Sequence, residues 1–245
     1  MKLLCITPTY GRSKELLQNS LACFYSQTYT NAVQVYFDDT FDGEKIRGDG
    51  FVFIQTGERV ASLSAKHDLA VLYGEQEFGS VDGIVIWDDD DIYLPNHLEY
   101  IANTLQEGDF YSYSSEVYVD SKDITKPHIE ETGNSRFHAN YAFSRDLYSK
   151  VKWGHTLRSD FDLQMIHRLK TNGTGRDRSD LGSPTYVYRW SGSQAHHCSG
   201  VSTGPDDKEW YFKSPIIRDG PIKDLKAKYD INTLNIKDCL KQLQP

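Results

Sequence analysis

Four consecutive aspartates, at positions 88–91, directly follow the short apolar run Ile84–Trp87. Neighbouring carboxylates repel one another, and this repulsion raises their proton affinity unless a cation or solvent relieves it. Carboxylate oxygens suit Mg²⁺ and Mn²⁺, which proteins commonly hold with one or two carboxylates together with substrate phosphates. If the backbone is extended, alternate aspartates point to opposite sides of the chain. We therefore predict a Mg²⁺ or Mn²⁺ site here, with a solvated acidic turn as the alternative.

Alternating strands and helices in the first 110 residues can position these acids. Such alternation is typical of a mostly parallel sheet with helices on both faces, in which ligands bind beyond the carboxyl ends of the strands. The predicted strands are 3–7 (ended by Pro8), 33–37, 51–54 and 83–87; a Gly-rich loop covers 41–50, and the predicted helices carry Leu17, Leu21 and Phe24, then Leu69 and Leu72 (62–76), then Leu98, Ile101 and Leu105 (starting at Pro95).

The second half of the chain has a different texture. Strands are predicted at 110–119, 141–143 and 185–190, with helices at 160–170 and around Ile236, Leu240 and Leu243. The polar segments 120–136 and 171–178 are typical of mobile surface loops that close over a site. There is no internal repeat and no low-complexity linker, so we expect a single continuous domain.

Composition and charge describe a soluble globular protein. The 245 residues have a net charge of −8 and are 38% hydrophobic, which gives no basic footprint for general nucleic-acid binding. No apolar window is long enough to span a bilayer, and Thr7-Pro8 stops the first apolar run too early for a signal peptide. We expect a cytoplasmic protein, peripheral membrane association being left open, with four reduced cysteines: Cys5, Cys23, Cys198 and Cys239.

Three motifs, in this order and spacing, resemble the successive signatures of family 2 nucleotide-sugar glycosyltransferases with the GT-A fold. They are Ile6-Thr7-Pro8-Thr9-Tyr10-Gly11-Arg12, then Ser26-Gln27-Thr28-Tyr29-Thr30-Asn31 leading to Val35-Tyr36-Phe37-Asp38-Asp39, then Trp87-Asp88-Asp89-Asp90-Asp91-Ile92-Tyr93-Leu94-Pro95. The resemblance is dense over residues 1–110 and thin over 140–200. It implies an α/β fold: one GT-A (Rossmann-like) domain with a nucleotide-sugar-binding half (1–108), an acceptor and catalytic half (109–220) and a C-terminal helical tail (221–245).

The resemblance also implies an activity and a donor site. The activity is metal-dependent, inverting transfer of a sugar from a nucleoside diphosphate, UDP being favoured, to a hydroxyl acceptor. Asp38 or Asp39 would accept a hydrogen bond from a uracil imide, the alternative being a turn carboxylate that caps its loop. Tyr10 would stack on the base and Arg12 would lie near the phosphates, unless these residues are plain packing and a solvated helix start. The implied donor-site residues are Thr7, Pro8, Tyr10, Arg12, Asp38, Asp39, Lys66, Asp88, Asp89 and Arg189.

The family's acidic motif maps onto Asp88 to Asp90. By that resemblance Asp90 binds the metal directly and Asp88 supports the metal or the ribose, while Asp91 would be occupied with the following helix. An ion there would neutralise the diphosphate leaving group as a Lewis acid.

The family's catalytic base corresponds to Asp160, in the motif Arg158–Leu163, where Ser159 replaces the usual glutamate. Asp162 is the second candidate for the base. The alternative for Asp160 is a first-turn residue that the helix dipole favours.

A last motif, Tyr188-Arg189 followed by His196-His197-Cys198, resembles the strand and loop that close on the donor diphosphate or the metal. The two histidines come later than in the commonest form, so they are weak metal candidates. Zinc is disfavoured because a second pair of ligands is missing. We expect Arg189, and Arg176 and Arg178 in the loop 171–178, to contact phosphate; a solvated loop is the alternative for the last two.

Two other functions compete with glycosyl transfer. A nucleotidyltransferase that makes activated sugars would need a Gly-rich, basic loop after the first strand, and here only Arg12 is present. A non-catalytic nucleotide- or sugar-binding relative would share the fold without turnover. For a transferase, the acceptor is left open among polysaccharide, lipid-linked glycan, protein and modified nucleic acid.

Overall fold

The computed structural model describes residues 1–12, 14–40, 43, 45–105, 108, 110–120, 128–134, 137–154, 156 and 160–189. Short 3₁₀ turns lie at His138–Asn140 and Ser179–Leu181. The strands are β1 (Leu3–Thr9), β2 (Ala32–Asp38), β3 (Lys45–Gly48), β4 (Phe51–Gln55), β5 (Gly83–Ile86), β6 (Ile92–Tyr93), β7 (Phe110–Tyr113), β8 (Glu116–Asp120), β9 (His128–Glu131), β10 (Ala142–Ser144), β11 (Thr174–Asp177) and β12 (Tyr186–Arg189). The helices are α1 (Lys14–Tyr25), α2 (Leu63–Phe78), α3 (His97–Thr104), α4 (Arg145–Val151) and α5 (Phe161–Asn172).

The larger sheet has eight strands in the order β11-β7-β10-β5-β1-β2-β4-β3. The pairs β5–β1, β1–β2 and β2–β4 are parallel, and β10 and β3 join this parallel core antiparallel. Leu3 to Ile6 of β1 are fully buried, as expected for a strand that helices cover on both faces. The predicted α/β fold, a mostly parallel sheet flanked by helices, is confirmed.

A second, four-stranded sheet has the order β6-β12-β8-β9. Its strand β6 comes directly after the four aspartates, and it pairs antiparallel with β12 from the far end of the described chain. Strand β9 pairs antiparallel with β8, so residues 128–131 of the predicted loop 120–136 are strand instead. Residues 121–127 lie outside the described ranges.

Three local predictions in the first half were wrong. Strand β1 continues past Pro8 to Thr9. Pro8 has no backbone N–H, but the pairing of β1 with β5 already ends at Ile6, so the proline breaks no hydrogen bond to β5. Part of the predicted Gly-rich loop 41–50 is strand β3, which pairs with β4. The third helix begins at His97, two residues after Pro95.

Helix α2 buries a different face from the one that its leucine pattern predicts. Leu72, predicted to point inward, is 49% exposed, whereas Ala70 and Val71 are buried. A Cβ atom on Gly74 would lie 2.8 Å from the Leu4 side chain. The helix therefore buries small residues against β1 and turns Leu72 outward.

The segment 171–178 is not the predicted lid. Residues 174–177 form the edge strand β11, parallel to β7. Arg178 is only 2% exposed, and its guanidinium donates to Ser112 Oγ at 3.0 Å and to the Asn140 side-chain and backbone oxygens, each at 2.7 Å. A buried arginine held by three acceptors fixes this segment to the core, so Arg178 is not placed for the phosphate contact predicted for it.

Two sequence predictions concern the wider character of the chain. None of the helices in the described ranges combines the length and the apolar character that a bilayer crossing needs. Cys5 and Cys23 are buried and form no disulfide, and burial raises the pKa of Cys5 well above its usual value. The predicted C-terminal helix around Leu240 lies outside the described residues.

Candidate active site

The carboxyl ends of three adjacent parallel strands meet at one edge of the large sheet. Strand β1 lies between β2 and β5, and it ends at Thr9, while β2 ends at Asp38 and β5 leads into Asp88. Because parallel strands end on the same side, the residues that follow them are brought together there. The ends of the three strands that carry the motifs of the first half therefore meet in space.

Asp89 faces the end of β1. Its Oδ2 accepts hydrogen bonds from Thr9 Oγ1 at 2.6 Å and from Arg12 Nε at 3.0 Å, and the residue is 4% exposed. Arg12 also donates from Nη2 to Asp90 Oδ2 at 3.3 Å. Arg12 thus bridges two neighbouring aspartates and partly neutralises them.

The other three aspartates form a group of their own. Asp88, Asp90 and Asp91 each offer a carboxylate oxygen, and these oxygens all lie within 4.8 Å of one another. The alternation expected for an extended backbone is not present because residues 89–91 bend, and Asp91 lies beside Asp88 and Asp90. Asp91 does not cap helix α3, since Asn96 precedes that helix; its Oδ2 accepts a 2.5 Å hydrogen bond from Tyr186 of β12.

The electrostatics of this group favour a cation. Burial first, and then the charges of Asp91, Asp90 and Asp89, raise the pKa of Asp88 well above its usual value. Burial and the neighbouring Asp90 raise the pKa of Asp89 to about 6, despite the opposing effect of Arg12. A hard divalent ion would relieve the repulsion at Asp88 and suits the oxygen ligands that Asp88, Asp90 and Asp91 offer together.

Buried aromatic residues pack against the acidic loop, residues 88–91. The rings of Trp87 and Tyr93 stack with centroids 3.9 Å apart, and the Tyr93 hydroxyl accepts a 2.7 Å hydrogen bond from the backbone N–H of Asp88. Tyr93 and Tyr186 support the loop, and sequence reasoning assigned neither of them. The signal for Tyr93 was its place in the motif after the aspartates, but the tyrosine of β12 had no local signal.

Asp38 and Asp39 at the end of β2 are not equivalent. Asp39 is fully buried, and it accepts hydrogen bonds from Arg59 Nη1 and the Val60 N–H, each at 3.0 Å, and from the Lys66 ammonium. Its acceptor capacity is largely used inside the protein.

Asp38, 3% exposed, uses one oxygen to hold two turns. Its Oδ1 accepts hydrogen bonds from the backbone N–H groups of Gly11 at 3.3 Å and Thr40 at 3.1 Å. Its Oδ2 has no hydrogen-bond partner in the part of the chain that the structure describes. Of the two aspartates, Asp38 is thus the one with an oxygen left for a ligand.

Lys66 lies within the site, but its charged end faces the protein. The residue is 4% exposed, and its Nζ donates to the carbonyl oxygen of Thr9 at 2.8 Å and to Asp39. Burial lowers its pKa, and the bond to Asp39 opposes that shift. Lys66 therefore ties the end of β1 to the end of β2.

The remaining residues of the first motif are divided between interior and surface. Thr7 is fully buried, and its hydroxyl accepts a 3.1 Å hydrogen bond from Gln34, so its side chain lies inside the sheet and not on the site surface. Pro8 is partly exposed. Tyr10 is 42% exposed, and the guanidinium carbon of Arg59 lies 3.5 Å from its ring centroid.

Asp160 and Asp162 lie at the start of helix α5. Asp160 is the residue before the helix, and its Oδ1 accepts a 2.9 Å hydrogen bond from Gln164 Nε2. Burial raises the pKa of Asp162, which makes that carboxylate easier to protonate than usual. The start of α5 packs against α2, where the ring centroids of Phe161 and His67 are 5.5 Å apart.

A groove of about 300 Å³ runs along this end of α5. Both Asp160 and Gln164 contribute to its wall, so the predicted base borders this open groove. The lining residues are Asp160, Leu163, Gln164, His167 and Arg168.

The arginines and histidines predicted for phosphate or metal contact have different outcomes. Arg178 is buried. Arg176 lies on the edge strand β11, and its guanidinium carbon is 5.1 Å from the ring centroid of Phe110 on β7. Arg189 ends β12, three residues after Tyr186, the partner of Asp91. His196 and His197 lie outside the described residues.

Comparison with solved structures places this fold. The crystal structure of S. aureus TarS 1-349 in complex with UDP-GlcNAc matches with a TM-score of 0.57 and 14% identity, covering 86% of this chain and 64% of that one. The crystal structure of S. aureus TarS 1-349 matches with a TM-score of 0.54 and 12% identity, covering 95% of this chain and 74% of that one. The crystal structure of S. aureus TarS matches with a TM-score of 0.54 and 14% identity, covering 77% of this chain. The chain thus spans 37% of the length of that TarS structure.

The crystal structure of the apo-form glycosyltransferase GlyE of S. pneumoniae TIGR4 also matches, with a TM-score of 0.42 and 11% identity, covering 96% of this chain and 64% of GlyE. No family model and no curated protein sequence matches the chain. At these identities the likeness to TarS shows a shared fold.

Proposed function

We propose that this protein is a nucleotide-sugar glycosyltransferase of the GT-A, family 2 type. It would transfer a sugar from a nucleoside diphosphate, with UDP favoured, to a hydroxyl acceptor, in a metal-dependent reaction that inverts the anomeric centre. The observation that carries the proposal is the meeting of Thr9, Asp38 and the aspartates 88–91 at the carboxyl ends of β1, β2 and β5. The shared fold with TarS, which was crystallised with UDP-GlcNAc, supports it.

Each acidic strand end has its own part in this proposal. Asp38 accepts a hydrogen bond from the base, and Tyr10 offers an exposed ring beside it. Lys66 acts as a positioning residue, because its ammonium holds Asp39 and the Thr9 carbonyl together. Arg12, which bonds Asp89 and Asp90, lies where a diphosphate next to those aspartates would need a positive charge.

Asp90 and Asp88 would hold the Mn²⁺ or Mg²⁺ ion, with Asp91 as a third oxygen donor. A divalent ion supplies Lewis-acid neutralisation of a departing diphosphate. The Tyr186 hydroxyl keeps Asp91 oriented toward this group through its hydrogen bond.

The base in this scheme is Asp160. Its carboxylate borders the groove along α5, and it would take the proton of the acceptor hydroxyl as that oxygen attacks the sugar. Gln164 fixes the carboxylate through Oδ1. Asp162 is the alternative base, with a pKa that burial raises. The buried Cys5 and Cys23, which form no disulfide, suit the reducing cytoplasm in which we propose that the protein works.

A panel of nucleotide sugars tests the proposal most directly. We expect release of free nucleoside diphosphate from one donor, fastest for a UDP-sugar, that requires Mn²⁺ or Mg²⁺ and stops with a chelator. Release of pyrophosphate from a nucleoside triphosphate and a sugar phosphate would favour a nucleotidyltransferase instead. Tight binding of a UDP-sugar with no turnover in the presence of any acceptor class would favour a non-catalytic relative.

A further inference from the structure

Helix α2 connects the strand ends of the site to the chain that leads into α5. Lys66, on α2, holds Asp39 and the carbonyl oxygen of Thr9 through its ammonium group. Two residues later on the same helix, the partly buried Asp68 contacts segment 152–154, which follows α4. One helix therefore contacts both the proposed donor site and the segment that precedes the proposed base.

Segment 152–154 is held from two sides. Asp68 accepts hydrogen bonds from the Trp153 N–H to Oδ1 at 3.1 Å and from the Gly154 N–H to Oδ2 at 2.7 Å. Arg168 of α5 donates from Nη1 to the carbonyl oxygens of Lys152 at 2.7 Å and Trp153 at 2.8 Å. A carboxylate of α2 and a guanidinium of α5 thus bind the same three residues, and hydrogen bonds to charged groups are the strong ones.

The backbone of this segment depends on such support. Lys152 has a φ of 26° and Gly154 a φ of 69°. A residue with a side chain rarely adopts a positive φ, because that conformation costs free energy which the surrounding contacts must offset. Asp68 and Arg168 supply such contacts, so the shape of the segment depends on both helices.

Packing and a second pair of hydrogen bonds join α2 to the same region. The ring centroid of His67 is 5.5 Å from that of Phe161, the residue directly after Asp160. The Ser64 hydroxyl donates to the carbonyl oxygen of Thr156 at 3.0 Å and accepts from its N–H at 3.0 Å. The position of Asp160 relative to α2 is therefore set by direct contacts between distant segments.

We propose that Asp68 is a positioning residue for the base. By holding segment 152–154 between α2 and α5, it keeps the Asp160 carboxylate in register with the donor site, which Lys66 organises from the same helix. The inference rests on the proposed function. Proton abstraction is sensitive to such geometry, because a misplacement of about 1 Å can cost about 10²-fold in rate. Asp68 acts through the segment and takes no proton itself.

The alternative is that Asp68 only stabilises the fold, through these bonds and a third from the Tyr148 hydroxyl at 2.8 Å. A loss of stability alone reduces the number of folded molecules and leaves kcat per folded molecule unchanged. A positioning residue lowers kcat per folded molecule, and only while the Asp160 carboxylate is present. The two roles therefore differ in a double-mutant cycle with Asp160→Asn.

The test measures UDP release in Mn²⁺ from the UDP-sugar that is turned over fastest in the donor panel, with water as the acceptor. Single-turnover incubations are run long enough to measure the slow Asp160→Asn reaction, and UDP calorimetry counts the folded donor sites. Asp68→Asn has the same shape but only one acceptor oxygen, so it places an N–H donor against the segment. We expect unchanged UDP affinity and a kcat per site that falls roughly 10- to 100-fold. In the Asp160→Asn background, Asp68→Asn should cause no further fall.

Tyr148→Phe is the matched control, because it removes the third bond to Asp68 without touching segment 152–154. Its kcat per site should equal that of the wild type. Hydrogen exchange of the same proteins follows the geometry: Asp68→Asn should speed exchange at the start of α5 and leave β1 and β2 protected. If Asp68→Asn loses protection everywhere, Arg168→Gln, at a partly exposed residue, replaces it in the cycle with the same expected result.

The outcomes separate this inference from the function beneath it. If the wild type releases no nucleoside diphosphate from any sugar nucleotide, the proposed function fails and Asp68 has no base to position. If the wild type turns over and Asp68→Asn keeps its kcat per site, the function stands and the positioning role is overturned. An equal fall in kcat with and without the Asp160 carboxylate overturns it as well.

Discussion

The Thr9 hydroxyl donates a 2.6 Å hydrogen bond to Asp89 Oδ2, which joins residues 80 positions apart at the ends of β1 and β5. Both side chains are buried, so Thr9→Val would leave a carboxylate without one of its donors. We expect the free energy of unfolding to fall by about 1–3 kcal/mol, which urea denaturation can measure. Thr9→Ser keeps the hydroxyl and should lose less. A valine variant as stable as the serine variant would show that this bond contributes nothing.

Asp90 should carry the metal dependence of nucleotide binding. Asp90→Asn removes one negative charge from the group of three aspartates, so we expect the affinity for UDP in Mn²⁺ to fall to the value measured with a chelator. Calorimetry with and without Mn²⁺ gives both numbers. Asp49→Asn, on an exposed turn, is the charge-matched control and should behave as wild type. UDP affinity of the wild type that is insensitive to Mn²⁺ and Mg²⁺ would remove the metal role of Asp90.

Asp160 should affect turnover and leave donor binding unchanged. Loss of a general base typically costs 10²–10⁴-fold, so Asp160→Asn should reduce kcat by about that factor while the affinity for UDP changes less than about twofold. Asp162→Asn is the comparison, because it lies two residues away on the same helix start. The base role would pass to Asp162 if that variant, and not Asp160→Asn, were the inactive one.

The buried His67 should make stability fall in mild acid. Burial lowers its pKa from 6.5 to about 4, and its Nδ1 bonds the Leu63 carbonyl oxygen at 2.8 Å. The unfolded chain binds the proton more tightly than the folded one, so the contribution of His67 is present above pH 6.5 and is lost as the pH falls toward 4.

Comparison with a variant isolates that effect. Between pH 7 and pH 5 the wild type should lose about 2 kcal/mol more than His67→Phe, which fills the space without titrating. Urea denaturation at both pH values measures the difference. His167→Gln, on the exposed face of α5, should follow the wild type. Parallel profiles for wild type and His67→Phe would mean that His67 is not held neutral.

The sequence predicts well those features of the fold and the site that depend on a local residue pattern. The apolar runs of β1, β2 and β5, each followed by its polar motif, are continuous in sequence, and parallel pairing then brings Thr9, Asp38 and Asp88 together. The residues that it missed or gave a wrong role depend on contacts between distant segments. Arg59 gains its place through Asp39 and Tyr10, and Arg178 is buried because Asn140 and Ser112 accept its hydrogen bonds. Nothing near those arginines in the sequence distinguishes them from solvated surface charge.

The pairing of β6 with β12 has a consequence for the order in which the molecule can fold. In the described chain β6 has no other strand partner, and Asp91 is bonded to Tyr186, 95 residues later. Contacts across such separations form late, because a long loop must close first. During synthesis the acidic loop can therefore reach its final shape only after β12, which ends at Arg189, has left the ribosome. Strands β1 and β5, which also border the loop, are made about a hundred residues earlier.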